Sequence, residues 1–284
     1  MTLHSDISRS STLSSSFYRS LEAFEKLKEN VLVNSWQYID IDMSDNNNLY
    51  PFRFLAPHIP EPLLLVSGEN GYECLSNVCT HRGNLLVSKP SKKKMISCNY
   101  HGRCFQLNGS FKSMPAFEDV SDFPSKKDDL RSFNVGNLGP SFFVTLEDTT
   151  SFNNWLSPIK ETIGWFPFDD LQLDVSRSND YTLNAHWCLY VDNYLEGFHV
   201  PFVHPELNAS LDLTGYETVL FHHGNLQVGR ANEGEMSFEI PAGQPFANEN
   251  IFAFYFWLFP NVMFNFYPWG LSLNQVIPVS IDKT

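Results

Sequence analysis

Cysteine and histidine recur together in two short segments, Cys79-Thr80-His81 and Cys98-Asn99-Tyr100-His101, with sixteen residues between them. Thiolates and imidazoles are ligands for borderline and soft metals. Zinc is one candidate, but zinc fingers usually present two cysteines and then two histidines. The order here is Cys, His, Cys, His, which suits two loops clasping one group from either side. It is the donor set of a Rieske-type [2Fe-2S] cluster, in which two thiolates hold one iron and two imidazoles the other, at potentials of roughly −150 to +300 mV. Gly83 and Gly102 follow the two histidines and allow the backbone to approach a bound group closely. This half of the chemistry is electron carriage.

A second constellation runs from Asp192 to His204: Asp-Asn-Tyr-Leu-Glu-Gly-Phe-His-Val-Pro-Phe-Val-His. Asp192, Glu196 and His199 are spaced i, i+4, i+7, which predicts one shared helix face with Glu196 in reach of an imidazole. Pro201 is expected to break that helix and let His204 turn back toward His199. Two imidazoles are two of the three ligands in the 2-His-1-carboxylate set that binds non-haem Fe(II) and activates O2. The competing reading is a pair of structural histidines at an aromatic-rich helix end.

Taken together, the two motifs resemble those of Rieske-type non-haem iron ring-hydroxylating oxygenase alpha subunits, and within them the choline monooxygenase-like branch. The likeness runs from about Trp36 to Asn274. It implies that Cys79, His81, Cys98 and His101 hold the cluster and that His199 and His204 hold the catalytic iron. Glu196 matches the carboxylate that bridges the cluster of one subunit to the iron of its neighbour, and Asn193 matches the asparagine beside that iron. The fold implied is α+β: a small antiparallel β Rieske domain joined to a helix-grip (START-like) antiparallel-sheet catalytic domain. The activity implied is hydroxylation of a small organic substrate, a quaternary amine or an aromatic, with O2. Electrons would come from a separate NAD(P)H-dependent reductase or ferredoxin, since no Gly-x-Gly-x-x-Gly follows a strand. A homotrimer is expected, because in that family the two sites of one chain are too far apart.

Two departures stand out. Where many members read Asn-Trp-Lys ahead of the iron helix, this chain reads His186-Trp187-Cys188. The family also carries a third, acidic iron ligand on a helix near the C-terminus. This sequence ends at Thr284, within what reads as a strand from Leu271 to Ile281, so a truncated C-terminus is expected. Glu206, Asp212 and Asp282 are available acids outside that context. The alternatives are a Rieske electron-transfer protein with an incomplete iron site, and a binding module in which the cluster is only structural.

The elements that must position these residues follow from pattern. A helix is expected over Phe17–Leu27, with a serine cluster as cap. Leu63–Val66 and Tyr72–Leu75 should flank a turn at Gly68-Glu69-Asn70-Gly71, and Arg103–Gln106 and Ser110–Lys112 a hairpin at Asn108-Gly109. Each cluster loop then sits at the tip of a strand pair. The aromatics from Phe252 to Trp269 predict a buried strand, a turn at Pro260-Asn261 and a return over Val262–Phe266. Trp257, Tyr267 and Trp269 are the candidates for a cation–π wall. The expected organisation is a tail and helix over 1–31 packing on the catalytic domain, a Rieske domain over 32–148 and an iron domain over 149–284.

A net charge of −13, from 19 basic and 32 acidic residues, argues against nucleic acid as partner. Lys92-Lys93-Lys94 and Lys126-Lys127 read as solvated turns, with docking of an acidic reductase as the alternative. Five cysteines without a disulfide rhythm point to a reducing, cytoplasmic setting. No apolar run reaches the length of a membrane span. The serine-rich first sixteen residues lack the apolar core of a secretory signal.

Overall fold

The computed structural model describes residues 6–56, 59, 61–69, 71–147 and 150–284. In chain order the strands of the first half are β1 (Gln37–Ile39), β2 (Leu49–Phe54), β3 (Glu61–Gly68), β4 (Gly71–Ser76), β5 (Ile96–Ser97), β6 (Cys104–Phe105), β7 (Phe111–Ser113), β8 (Ser132–Leu138) and β9 (Ser141–Thr145). Six of them form one antiparallel sheet in the order β1-β9-β8-β4-β3-β2, and β5-β6-β7 form a small second sheet. The second half is a meander of β10 (Leu211–Phe221), β11 (Gly224–Ala231), β12 (Ile251–Leu258), β13 (Val262–Tyr267) and β14 (Gly270–Gln275).

The run Leu63-Leu64-Leu65-Val66 in β3 is buried throughout because both faces of its sheet are covered. Leu64 and Val66 face a core that contains Cys79, Leu86, Ile96, Cys98 and Phe105, which is the lobe carrying the first motif. Leu63 and Leu65 face the other way, into a core shared with Trp187, Val191 and Met263 of the second half. A one-residue alternation therefore seats the lobe of the first motif on one side and the second half of the chain on the other.

The meander divides its faces in the same manner. Phe254, Phe256, Phe264 and Phe266 pack with α3 (Phe152–Ile163), whose Trp155, Leu156, Ile159 and Ile163 are buried on one face. The opposite face carries Gln227, Tyr255 and Asn265, which are register neighbours across β11, β12 and β13. Gln227 and Asn265 bond to Tyr194 of α4 (Trp187–Tyr194). That helix gripped by the sheet leads directly into the histidine segment.

Several expectations are corrected. The helix expected over Phe17–Leu27 is two, α1 (Ser15–Arg19) and α2 (Leu21–Leu27), because Ser20 adopts an extended backbone and its hydroxyl accepts from the Ala23 amide. The strand expected from Leu271 to Ile281 spans only Gly270–Gln275. The hairpins at Gly68 to Gly71 and Asn108-Gly109 and the return at Pro260-Asn261 form as expected. Asn70, and the boundary expected between 148 and 149, lie outside the described residues. Among the described residues no helix is long and apolar enough to cross a membrane.

Candidate functional site: a cluster lobe and an imidazole pair

The two cysteine–histidine loops share one backbone frame. In the first, the Gly83 amide donates to the Cys79 carbonyl at 3.0 Å, and the Cys79 amide to the Asn84 carbonyl at 2.8 Å. In the second, Gly102 donates to Cys98 at 3.0 Å, and Cys98 to Arg103 at 2.8 Å. Gly83 and Gly102 both occupy the left-handed region, at φ +70° and +72°, which closes each turn without Cβ strain. The frames match although the cysteine–histidine spacing differs by one residue.

These frames bring the four predicted donors together. The His81 and His101 rings lie 4.7 Å apart, centroid to centroid, and the Cys79 and Cys98 thiols are within hydrogen-bonding reach of each other. Burial would raise the Cys98 thiol, but the Tyr100 and His101 amides, Cys79 and Asn84 outweigh it and lower its pKa. Burial dominates at Cys79 and holds its pKa up. Desolvation, then the charges of His101, Arg82 and Arg103, lowers the pKa of His81 and favours the neutral imidazole that ligates metal. His81 Nδ1 is buried without a protein partner. An orphaned ring nitrogen beside a second imidazole and two buried thiols fits a two-iron cluster held by two Cys and two His.

The second motif is assembled differently from the helix-face expectation. α4 ends at Tyr194, so Asp192, Glu196 and His199 do not share a continuous helix. The chain turns at Leu195 to Gly197, where a Cβ on Gly197 would meet the Tyr216 ring at 2.7 Å. Pro201 does not break the helix. It sits at the start of α5 (Val200–Val203), where its missing N–H costs nothing, and Pro205 likewise opens α6 (Pro205–Ser210). His199 and His204 bracket α5 as its two caps, and their rings are 5.2 Å apart.

Glu196 still reaches its partner. Its Oε1 lies 2.6 Å from His199 Nδ1, while Oε2 accepts from the amides of Phe198 and His199. A carboxylate fixed by two backbone donors makes Nδ1 the protonated nitrogen and leaves the Nε2 lone pair free for a metal. Asn193 is exposed in the last turn of α4, and its side chain makes no hydrogen bond among the described residues. Among the described residues no three His, Cys, Asp or Glu side chains converge to hold a single metal ion, either at this imidazole pair or at the two cysteine–histidine loops, where a two-iron cluster would take one iron on the thiol pair and the other on the imidazole pair. Asp212 accepts from Thr214, and Asp282 accepts from Ser280.

Sequence reasoning left three residues without a role. Asn84 donates to Cys98 Sγ at 3.6 Å and so ties the first loop to the thiol of the second. His186 is the N-cap of α4: its Nδ1 accepts from the Cys188 amide at 3.1 Å, and its ring packs among Phe17, Tyr18 and Phe24. The Tyr18 hydroxyl donates to Asp192 at 2.6 Å. His in the place of the usual Asn was the available signal, since a capping position accepts either acceptor side chain.

Comparison with known proteins agrees with both halves. A family model described as the Rieske [2Fe-2S] domain matches residues 51–124, and one described as the ring hydroxylating alpha subunit (catalytic domain) matches residues 168–284. The carnitine monooxygenase oxygenase subunit of Escherichia coli (strain K12) is 31% identical over 278 residues, covering 96% of this chain and 72% of that protein. The chloroplastic choline monooxygenase of Arabidopsis thaliana is 27% identical and covers 98% of this chain and 67% of its own length. A crystal structure of a quaternary ammonium Rieske monooxygenase in complex with an inhibitor shares the fold, with a TM-score of 0.74 at 24% identity over 96% of this chain and 73% of that one. The cofactors are accordingly a [2Fe-2S] cluster and a mononuclear iron. With a Rieske domain and a ring-hydroxylating catalytic domain in order along its length, the chain belongs to the Rieske oxygenases, as an alpha subunit.

Proposed function

We propose that this chain is the oxygenase component of a system that hydroxylates a small quaternary amine. Cys79, Cys98, His81 and His101 hold the cluster, and His199 and His204 supply two ligands to the catalytic iron. When bound, the cluster delivers electrons singly and the iron provides the place where O2 is reduced against a substrate C–H bond. The observation that carries the reading is the fixed Glu196–His199 pair beside His204, with His199 Nε2 and the His204 ring making no hydrogen bond among the described residues.

Glu196 orients the His199 ring and, as a carboxylate on Nδ1, holds the proton that leaves Nε2 available. Asn193 stands at the end of the helix that positions both. The substrate class rests on relatives that are choline and carnitine monooxygenases. Aromatic faces suited to a trimethylammonium group are present: Tyr267 and Trp269 stack at 4.8 Å and 5°, and Tyr255 meets Tyr267 edge-on at 5.9 Å. Each such face contributes about 0.5–2 kcal/mol to a bound cation. Trp257 suits this less, because its indole packs in the core and donates to the Pro260 carbonyl.

Electrons come from a separate NAD(P)H-dependent reductase or ferredoxin. Lys126, Lys127, Asp129 and Arg131 line a cavity of about 470 Å³ that reaches Cys79 and Thr80; Lys126 pairs with Asp129 and Arg131 with Glu147, which leaves Lys127 as the cation without an ion pair among the described residues to orient an acidic donor. Phe198 and Phe202 are 86% and 87% exposed beside His199, and Tyr100 is 60% exposed beside His101. Exposed aromatics at both metal-binding tips suit a head-to-tail homotrimer in which the cluster tip of one protomer covers the iron tip of the next. Five free thiols suit a reducing, cytoplasmic setting.

Metal analysis with a substrate panel tests the reading. Purified, reconstituted protein should bind three irons per chain and couple NAD(P)H oxidation to hydroxylation of a quaternary amine. Two irons, unchanged after His199→Ala, would leave an electron carrier instead.

A further inference from the structure

The two cluster loops are joined by a third segment that contains no ligand. Residues Lys126–Asp128 form a 3-10 turn closed by a capping box, in which Asp128 Oδ2 accepts from the Ser125 amide at 2.7 Å and from its hydroxyl at 3.0 Å. This locks the orientation of Asp128. Its carbonyl accepts from Thr80 Oγ1 at 2.8 Å, and Thr80 lies between the ligands Cys79 and His81. The same carbonyl lies 3.3 Å from Arg103 Nη2, and Asp128 Oδ1 lies 2.5 Å from that nitrogen. Arg103 follows Gly102 in the second loop. One residue therefore holds both loops at once.

Arg103 is only 3% exposed, and its guanidinium lies over the rings of Phe111, Phe123 and Phe105 at 4.9, 5.5 and 5.8 Å. A buried cation is costly unless paired, and within a lobe of low dielectric it acts on its surroundings far more strongly than a surface lysine does. Reducing the cluster adds one negative charge. A fixed cation beside it stabilises the reduced form and raises the potential, whereas a carboxylate on that cation opposes the effect. Net charge and hydrogen bonding near a cluster are established levers on its potential.

We propose that Asp128 is a positioning residue for the cluster, clamping Thr80 and Arg103 so that the loops keep their separation and a buried, half-neutralised guanidinium sets the reduction potential. Neither Asp128 nor Arg103 ligates iron. The inference rests on the cluster alone and is independent of the substrate and of the mononuclear site.

Potentiometric titration of the reconstituted protein, followed by the paramagnetic signal of the reduced cluster, tests it. Asp128→Asn keeps the size of the side chain and one acceptor oxygen, turns the other acceptor into a donor and removes the negative charge beside Arg103, so its midpoint should rise above wild type. Arg103→Met should lower the midpoint, and Arg103→Lys, which keeps the charge, should lie closer to wild type than Arg103→Met does. Thr80→Val should leave the midpoint near wild type but speed loss of the cluster to a chelator, because it frees the first loop. Opposite shifts from Asp128→Asn and Arg103→Met are not produced by general loosening. Shifts of the same sign, or wild-type midpoints in both, would overturn the proposal. Should Arg103→Met fail to assemble a cluster, an unshifted Asp128→Asn is sufficient to overturn it.

Discussion

Glu196 shows how a single side chain can be specified by backbone rather than by helix periodicity. Its carboxylate is pinned by two amides at the head of α5, and the remaining oxygen meets His199 Nδ1. Glu196→Ala should leave both metal centres loaded, as judged by iron content and spectra, while coupled turnover falls about 10- to 100-fold, the range usual for partners of a ligating histidine. Full turnover in that variant would remove its role. The matched backbone frames of the two cysteine–histidine loops were legible from order and spacing, because each cysteine is followed four residues later by a glycine that closes the turn. Asp128 was not legible, since its link to Thr80 runs through a main-chain carbonyl. No side-chain pattern announces a carbonyl.

At the scale of elements, the sequence conveyed strands better than helices. The apolar run of β3 and the aromatic run of β12 and β13 are set by burial, which residue type reports directly. The segment from Leu195 to His204 obeys local rules that override the i, i+4, i+7 spacing: Gly197 packs under Tyr216, and prolines at 201 and 205 start new turns instead of ending old ones. The cap of α4 offers a test of such local control. Burial holds the pKa of His186 below the ordinary histidine range, with Asp192 opposing it more weakly. The unfolded chain therefore binds this proton more readily, so its contribution to stability is present above about pH 6.5 and declines as the pH falls through that value, levelling off below the folded pKa. Denaturant unfolding of wild type and His186→Asn from pH 7.5 to 5 should show a shallower loss in the variant, which keeps a capping acceptor without the proton. Parallel curves would place the pH dependence elsewhere.

On the level of the whole molecule, Phe198 and Phe202 stand exposed beside the imidazole pair, the surface on which the proposed head-to-tail assembly rests. Light scattering should give the mass of a trimer for wild type and of a single chain for the double variant Phe198→Asp, Phe202→Asp, with the cluster spectrum unchanged. A wild-type protein that is monomeric at micromolar concentration would refute the head-to-tail assembly. The family resemblance carried the fold class and both cofactors.

The join between the halves carries a further consequence. Gln37 on β1 accepts from Asn261 at 3.0 Å and from Gln275 at 3.1 Å, with Asn261 fully buried, and Trp36 and Phe143 share one core with Phe254, Phe256 and Phe264. Such a seam is continuous interior rather than a hinge, so heating should melt both halves in one calorimetric peak with matching van't Hoff enthalpy. Residues 32–148 expressed by themselves should precipitate or bind hydrophobic dye. A polypeptide of this kind passes on its two halves as one heritable unit: trading either to another scaffold would mean rebuilding the surface left bare.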